Sequence, residues 1–474
     1  MTTTRSTLEI RLKGELPPTP PLPSTLQTLA CRWAPLDLFE WARRSLGDRF
    51  TLYPLDIPPV VLMSHPADIR AVLDAPSDIL HPGAGGNAIS PIVGGDSFML
   101  KEADEHVRGR RAIAPAFSAK AIARHADMVE EIVAAEVGSW PLDGAFPAHP
   151  RLRRMSLRII LSTIFAAEWA KLTRLHEHLL AMLDVTASFT LVEPRLRRLP
   201  GWRGIWRRFL EARARVDEDI RELIAGRERD TDADDVLARL LSASNADGSA
   251  MTATQARDNL VSVILAGHET TASAIAWALT LLAHTPHVQS RLAREIDAGQ
   301  DDSYMLATVA EVLRHRPVFL FAIPRVVAKP MEIGGWSYRP PAQLLPCIYL
   351  LHHDARLYPD PHAFRPERFL ADPPAPGAWL PWGGGAKRCP GHRLATLEMQ
   401  TVLRATLATR TIAPGTRELE RARWRSVIVT PARGAQVVLS ARPTAAHAGG
   451  RVSGYRLSYP ATDFRSPSAD PLSG

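Results

Sequence analysis

The segment Leu380 to Gly391, LPWGGGAKRCPG, sets three glycines and two prolines around one cysteine, Cys389, just ahead of a helical run that begins near His392. Glycines let a backbone approach a flat ligand closely, and a helix N-terminus flanked by the cations Lys387 and Arg388 would favour thiolate over thiol. Such a cysteine suits a metal. In isolation the segment reads equally well as a glycine-rich surface loop with an incidental buried cysteine. The other two cysteines, Cys31 and Cys347, have no motif around them and read as inert apolar thiols. With no CxxC pair, neither a disulfide framework nor structural zinc is expected.

A second segment, Asn259 to Ala283, is predicted as a helix with one formally charged side chain, Glu269, next to His268. Its centre reads Ala266-Gly267-His268-Glu269-Thr270-Thr271. A carboxylate in so apolar a helix is costly unless it is paired, neutralised or in contact with water, so it marks a functional site. A membrane span is a poor alternative, given that polar centre and the lack of a strong basic flank. A zinc-protease helix is excluded, because HExxH would need histidine where Ala272 stands. Glu311 and Arg314, in EVLRHRP, share a helical face shortly before Pro317; alone, such a pair is a surface contact worth ~0.3 kcal/mol. The stretch FRPERF, Phe364 to Phe369, supplies Arg368, which can join them.

In order along the chain, AGHETT, EVLR, FRPERF and PWGGGAKRCPG resemble the motif set of the cytochrome P450 family, over about Leu16 to Pro443. The resemblance implies a mainly α fold with minor β, holding haem b (iron protoporphyrin IX) between a long distal helix and a proximal cysteine loop and helix. Cys389 is then the proximal thiolate, a ligand that pushes electron density onto iron and favours O–O cleavage. Glu311, Arg314 and Arg368 become a structural ion network. On the distal face, Thr270 would hold a hydroxyl near dioxygen, Glu269 would relay protons from solvent, and Gly267, beside Ala266, would leave room for the ligand. The haem propionates would meet His106, Arg110, Arg325 and Lys387, with Gly391 also in the cofactor site. Two positions depart from the family's pattern. Lys387 replaces the commoner arginine, giving a point charge for a fork, and Trp382 replaces the usual phenylalanine, adding an N–H near the ligand.

These parts need elements to position them. Two short strands are expected at Arg49 to Leu55 and Pro59 to Met63, then a helix from Ser64 as N-cap with Pro66 in its first turn. Helical patterns dominate from Lys101 to about Ala283. Hairpins are expected at Met331 to Ile333 with Trp336 to Tyr338 across Gly334-Gly335, and at Ser426 to Thr430 with Ala435 to Leu439. The 474 residues, 46% hydrophobic, suit one large domain at 24–443 between a Pro-rich flexible N-terminus, 1–23, and a disordered tail, 444–474. No signal peptide or membrane anchor is expected at the N-terminus, so the expected location is cytoplasmic, and a monomer is expected.

The function expected is insertion of one oxygen atom of O2 into a lipophilic small molecule. With no flavin domain in the sequence, electrons are expected from a separate ferredoxin or flavodoxin and its reductase, docking on Arg108, Arg111, Lys387, Arg388 or Arg393. A peroxide-using or isomerising haem-thiolate enzyme and a haem sensor are the alternatives, and the Glu269-Thr270 pair favours the first reading. Substrate choice is expected in 76–100, where Ile89, Ile92, Val93 and Phe98 suggest lipophilicity, in 165–206, and at Ala266. Arg195 to Phe209 mixes six arginines with Trp202 and Trp206. It reads as a solvated basic face, with peripheral membrane contact as the alternative. Nucleic-acid binding is not expected, since no such motif accompanies the net charge of +7. His352-His353-Asp354 is not read as a metal site, because adjacent strand residues point oppositely, and His268 is expected to face a neighbouring helix.

Overall fold

The computed structural model describes residues 16–55, 57–82, 89–186, 200–227, 235–243, 248–299, 301–371 and 374–442. The expected tail at 444–474, the first part of the N-terminal segment and residues 195–199 of the basic stretch lie outside them.

Helices α1 (Ser24–Trp33) and α2 (Pro35–Leu46) precede strands β1 (Arg49–Leu52) and β2 (Val60–Met63). The Pro-rich segment expected to be flexible as far as Pro23 is docked from Leu16 onward. Its Pro18 carbonyl accepts the Thr51 N–H at 2.9 Å and its Pro17 carbonyl the Thr51 hydroxyl at 2.7 Å. Proline has no N–H to give, but its carbonyls satisfy an otherwise open strand edge. Helix α3 (Pro66–Asp74) starts at the expected proline. Its N-cap is His65, whose Nδ1 accepts from the Ala67 N–H, while the expected cap, Ser64, turns its hydroxyl to the Asp48 carbonyl.

There follow β3 (Leu80–His81), α4 (Ser90–Val93), α5 (Ala103–Ile113), α6 (Ala119–Arg124), α7 (Ala126–Gly138), β4 (Ala145–Pro147), α8 (Ala148–Phe165), α9 (Trp169–Thr186), α10 (Pro200–Arg227), α11 (Val236–Leu241) and the 32-residue α12 (Ala253–His284). The last begins earlier than the apolar pattern suggests, because Thr252 and Gln255 close a capping box there. From Thr271 to Ala283 it is buried on every side, so it is the axis of the core and not an amphipathic surface helix.

After it come α13 (Pro286–Ala298), α14 (Ser303–His315), β5 (Arg325–Val327), β6 (Met331–Ile333), β7 (Trp336–Tyr338), β8 (Gln343–Pro346), α15 (Ile348–His352), α16 (Arg368–Ala371), α17 (His392–Thr409), β9 (Arg410–Pro414), β10 (Ala422–Arg425), β11 (Ile428–Pro431) and β12 (Gln436–Ala441). The largest sheet has the order β1-β2-β8-β5-β3, with only β2 and β8 parallel. β6 and β7 form the expected hairpin, with Gly334 and Gly335 both at positive φ, +59° and +81°. The second expected hairpin does not form. β11 pairs with β10, whereas β12 pairs with β9 and β4 in another sheet. The Glu420 carboxylate accepts both the Arg433 and Gln436 N–H groups and holds the connection in a turn that separates the strands. Helices dominate, with small sheets at the periphery, which is the mainly α class expected.

Candidate functional site

Helix α14 carries the anchor of the proximal side. Glu311 and Arg314 are both fully buried, and the fork closes bidentately, with Nε to Oε2 at 2.6 Å and NH2 to Oε1 at 2.8 Å. This is not the solvated surface pair that the spacing alone suggests. Arg314 also donates to the carbonyls of His352 (2.7 Å), Pro361 (2.9 Å) and Ala363 (3.2 Å). Arg368 Nε and the Arg365 N–H reach Glu311 Oε1 at 3.1 and 2.8 Å, so the expected three-residue network assembles, with both arginines sharing the one carboxylate.

That network carries the cysteine loop. His352 ends α15, with His353 following it, so the strand argument for those two residues fails. His352 Nε2 accepts the Leu380 N–H at 2.9 Å. Tyr358 donates to the Ala378 carbonyl at 2.9 Å, and Trp379 Nε1 to the Ala310 carbonyl at 3.3 Å. Within the loop, the Cys389 N–H donates to the Trp382 carbonyl at 2.9 Å, and Gly391 is the residue from which α17 starts. The glycines do not all serve a ligand. A Cβ on Gly385, which sits at φ +63°, would stand 2.5 Å from the Leu73 carbonyl oxygen, and one on Gly384 2.8 Å from Leu73 Cδ1. These two residues let the loop pack on α3.

Burial pushes the Cys389 thiol up, and the opposing pull of the Gly391 N–H, Arg110 and Arg388 does not reverse it. Arg388 and the Gly391 N–H thus favour the thiolate, as expected of the flanks, but local charge alone does not outweigh burial. Coordination to a cation would. Cys31 and Cys347 are each raised to about 12 by burial, as inert thiols should be.

His106 and Arg110 of α5, Arg325 of β5 and Lys387 of the loop gather beside the cysteine. Lys387 Nζ lies 3.0 Å from His106 Nδ1, His106 Nε2 contacts the Ala386 carbonyl at 3.1 Å, and Arg110 donates to the Arg388 carbonyl. Burial, reinforced by Lys387, lowers His106 to about 4. Burial, reinforced by Arg325 and Arg110, lowers Lys387 to about 8. Burial also lowers Arg325 to about 10, and Glu102 is the carboxylate that opposes this in both Lys387 and Arg325. So many crowded cations facing one acid suit an anionic group such as the carboxylates of a haem. Lys387 is turned inward, donating to the Met99 and Lys101 carbonyls, which removes it from the expected docking surface.

On α12, Ala266 is exposed and Thr270 half-buried, while His268 is fully buried. The Thr270 hydroxyl donates to the Ala266 carbonyl at 2.6 Å, leaving its oxygen free to accept. Gly267 does not leave room for a ligand as expected. A Cβ there would stand 2.8 Å from Ile160 Cγ1, so the missing side chain lets α8 approach α12. Glu269 has partners that the sequence gave no sign of. Arg153 Nε and Arg425 Nε bind it at 2.7 and 2.6 Å, and both arginines also pair with Asp184, near the end of α9, at 2.7 and 3.0 Å. Burial pushes the Glu269 carboxyl up, but His268, Arg153 and Arg425 outweigh it and hold the group well below the ordinary range. Arg153 and Arg425 lie 116 and 156 residues from Glu269, with no local pattern to flag them.

Of the apolar residues expected to face substrate, Ile92 and Phe98 belong to the main core, and Val93 is fully buried. Asn259 Oδ1 accepts the Phe98 N–H at 2.8 Å, and the Ser97 and Ser262 hydroxyls meet at 2.6 Å. At the basic stretch, Phe209 is buried and Trp206 packs on the core while Arg203, Arg207 and Arg208 are exposed. Among the described residues, no group of three or more His, Cys, Asp or Glu is arranged to hold a metal ion, and no helix is long and apolar enough to cross a membrane.

Residues 16–439 match the cytochrome P450 family model. Cytochrome P450 135B1 of Mycobacterium tuberculosis is 33% identical over 433 residues, covering 89% of this chain and 91% of the relative. Cytochrome P450 137 of the same organism is 34% identical over 401 residues, covering 83% of each. Among solved structures, the retinoic acid-bound cyanobacterial CYP120A1 superposes with a TM-score of 0.79 at 21% identity, over 90% of this chain and 99% of that one. With the ion network, the cysteine loop and the distal helix assembled on one fold, the chain belongs to the cytochrome P450 family and is a haem-thiolate monooxygenase.

Proposed function

We propose that the protein holds haem b with Cys389 as its axial ligand and oxidises a lipophilic small molecule, using electrons from a separate ferredoxin or flavodoxin. The observation that carries this reading is the pinned Cys389 loop with His106, Arg110, Arg325 and Lys387 crowded beside it. When bound, the haem supplies the oxygen-activating chemistry. The protein's own residues do the rest: the basic cluster takes the propionates, and Ala266 and Thr270 line the distal side. The test is the carbon monoxide spectrum of the dithionite-reduced protein. A strongly red-shifted Soret band, lost in Cys389→Ser, is expected; no haem, or the same histidine-like spectrum in both proteins, overturns the assignment.

Thr270 supports oxygenation over a sensor role, because its hydroxyl is accessible and oriented by the Ala266 carbonyl. Thr270→Ala is expected to keep substrate binding but to divert roughly half or more of the electrons from product, a coupling loss within the range of acid–base assistance. Unchanged coupling would remove Thr270 from proton handling. Glu269 can relay a proton only after Arg153 or Arg425 lets go of it, since as held it is an ion and not an acid. Donor docking is proposed on Arg108, Arg111, Arg388 and Arg393. Reduction by an acidic ferredoxin should slow as salt rises, and a salt-independent rate would count against this face.

A further inference from the structure

Eleven large hydrophobic side chains stand exposed among the described residues, and six of them come from two adjoining pieces of chain. Leu26, Leu29 and Trp33 of α1 are 48, 52 and 75% exposed. At spacings of three and four they occupy one face of that helix. Tyr53, Leu55 and Ile57, beyond β1, are 39, 47 and 44% exposed. The two pieces form one surface, because the Tyr53 N–H donates to Gln27 Oε1 at 2.7 Å and the Leu55 N–H to Thr28 Oγ1 at 2.9 Å. Helix α1 thus buries Gln27, at 2% exposed, and turns its leucines and tryptophan outward, the reverse of an ordinary surface helix. A contiguous apolar patch of this kind marks an interaction surface.

The chemistry around the patch distinguishes among occupants. Helix α1 contains no acid, and Asp56 is the one acid between Leu52 and Val60. The Arg32 guanidinium sits 5.6 Å from the centre of the Trp33 ring. Trp424 Nε1 donates to the Cys31 carbonyl at 2.8 Å, which brings β10, with Arg423 beside the tryptophan, against the same end of α1. Leucines flanked by tryptophan, tyrosine and arginines are the composition of a helix that lies in a lipid interface.

We propose that this face seats the protein on an anionic lipid bilayer, with Leu26, Leu29, Leu55 and Ile57 at the acyl boundary and Trp33, Tyr53 and the arginines at headgroup level. A bilayer concentrates lipophilic molecules, so such seating would feed the proposed class of substrate; that consequence rests on the proposed function, whereas binding itself does not. The test is flotation of the haem-loaded full chain with vesicles of phosphatidylcholine and phosphatidylglycerol, or of phosphatidylcholine alone, comparing wild type with Leu29→Ser/Trp33→Ser. Binding to the anionic vesicles is expected, weaker to the neutral ones, with partitioning reduced at least about tenfold in the double variant. The carbon monoxide spectrum and melting temperature of the variant should match wild type, since both side chains lie on the outside. Failure of wild type to float, or equal flotation of the variant, overturns the proposal. So does light scattering that finds a wild-type dimer lost in the variant without vesicle binding, which assigns the face to a second copy. If deleting residues 2–15 is what creates vesicle binding, the chain's own N-terminal segment is the occupant and the proposal falls.

Discussion

Arg314→Ala is expected to lower the unfolding free energy by about 3–5 kcal/mol, the usual result of stripping one partner from a fully buried pair. Five hydrogen bonds leave with the guanidinium: two to Glu311 and three to the carbonyls of His352, Pro361 and Ala363. Glu311 would remain buried, with only the Arg365 N–H and Arg368 Nε to answer its charge. The damage should reach the cysteine loop, since His352, whose carbonyl Arg314 holds, is the residue whose ring fixes the Leu380 N–H. Haem content should therefore fall together with melting temperature. Arg314→Lys keeps the charge but loses the fork, so it should recover only part of either quantity. A folded Arg314→Ala protein with wild-type melting temperature and haem content would show that the network is dispensable.

Glu398→Gln should alter how stability depends on pH. Glu398, on α17, is fully buried, and neither of its oxygens has a hydrogen-bond partner among the described residues. Burial raises its carboxyl to about 8, and the neighbouring Ser156 on α8 offsets little of that. The folded pKa stands above the unfolded value of about 4.5, so the folded state keeps a proton that the unfolded chain releases. Stability is then full below about pH 4.5 and declines as pH rises towards about 8, beyond which the penalty is constant. At 1.36 kcal/mol per unit, the integrated penalty is on the order of 5 kcal/mol. Glutamine carries no such proton. Wild type and variant should melt alike near pH 5, and the variant should be the more stable at pH 9. Parallel melting curves across that range would mean that Glu398 ionises normally. The buried histidines act in the opposite direction: His149 and His106, each lowered to about 4 chiefly by burial, cost stability as pH falls below about 6.5. The difference between wild type and Glu398→Gln isolates the carboxyl from them.

Much of this protein is written locally. The cysteine loop, the distal helix, the i,i+3 pair and the Gly334-Gly335 hairpin are each specified by residues within a turn or two of one another, and such patterns survive in a linear string. The mainly α class follows from the same local periodicities, and the family from the order of four short motifs. What the string does not carry is the partner of a charge. Glu269 is identifiable as an anomaly, but only the packing of α8, α9 and β10 around α12 supplies Arg153, Asp184 and Arg425, and so decides that it is a clamped ion. Gly267, Gly384 and Gly385 look like space for a ligand until the approach of Ile160 and Leu73 reveals them as packing contacts. That Ile92, Val93 and Phe98 are apolar is legible, but that they are buried is not, because hydrophobicity does not record which way a loop faces. The amino-acid sequence by itself determined the family, the cysteine and the ion network, because those rest on residue type and short spacing. Tertiary structure alone decided the charge state of Glu269, the inward turn of Lys387 and the outward face of α1, because burial and ion pairing arise between elements that are distant in the chain.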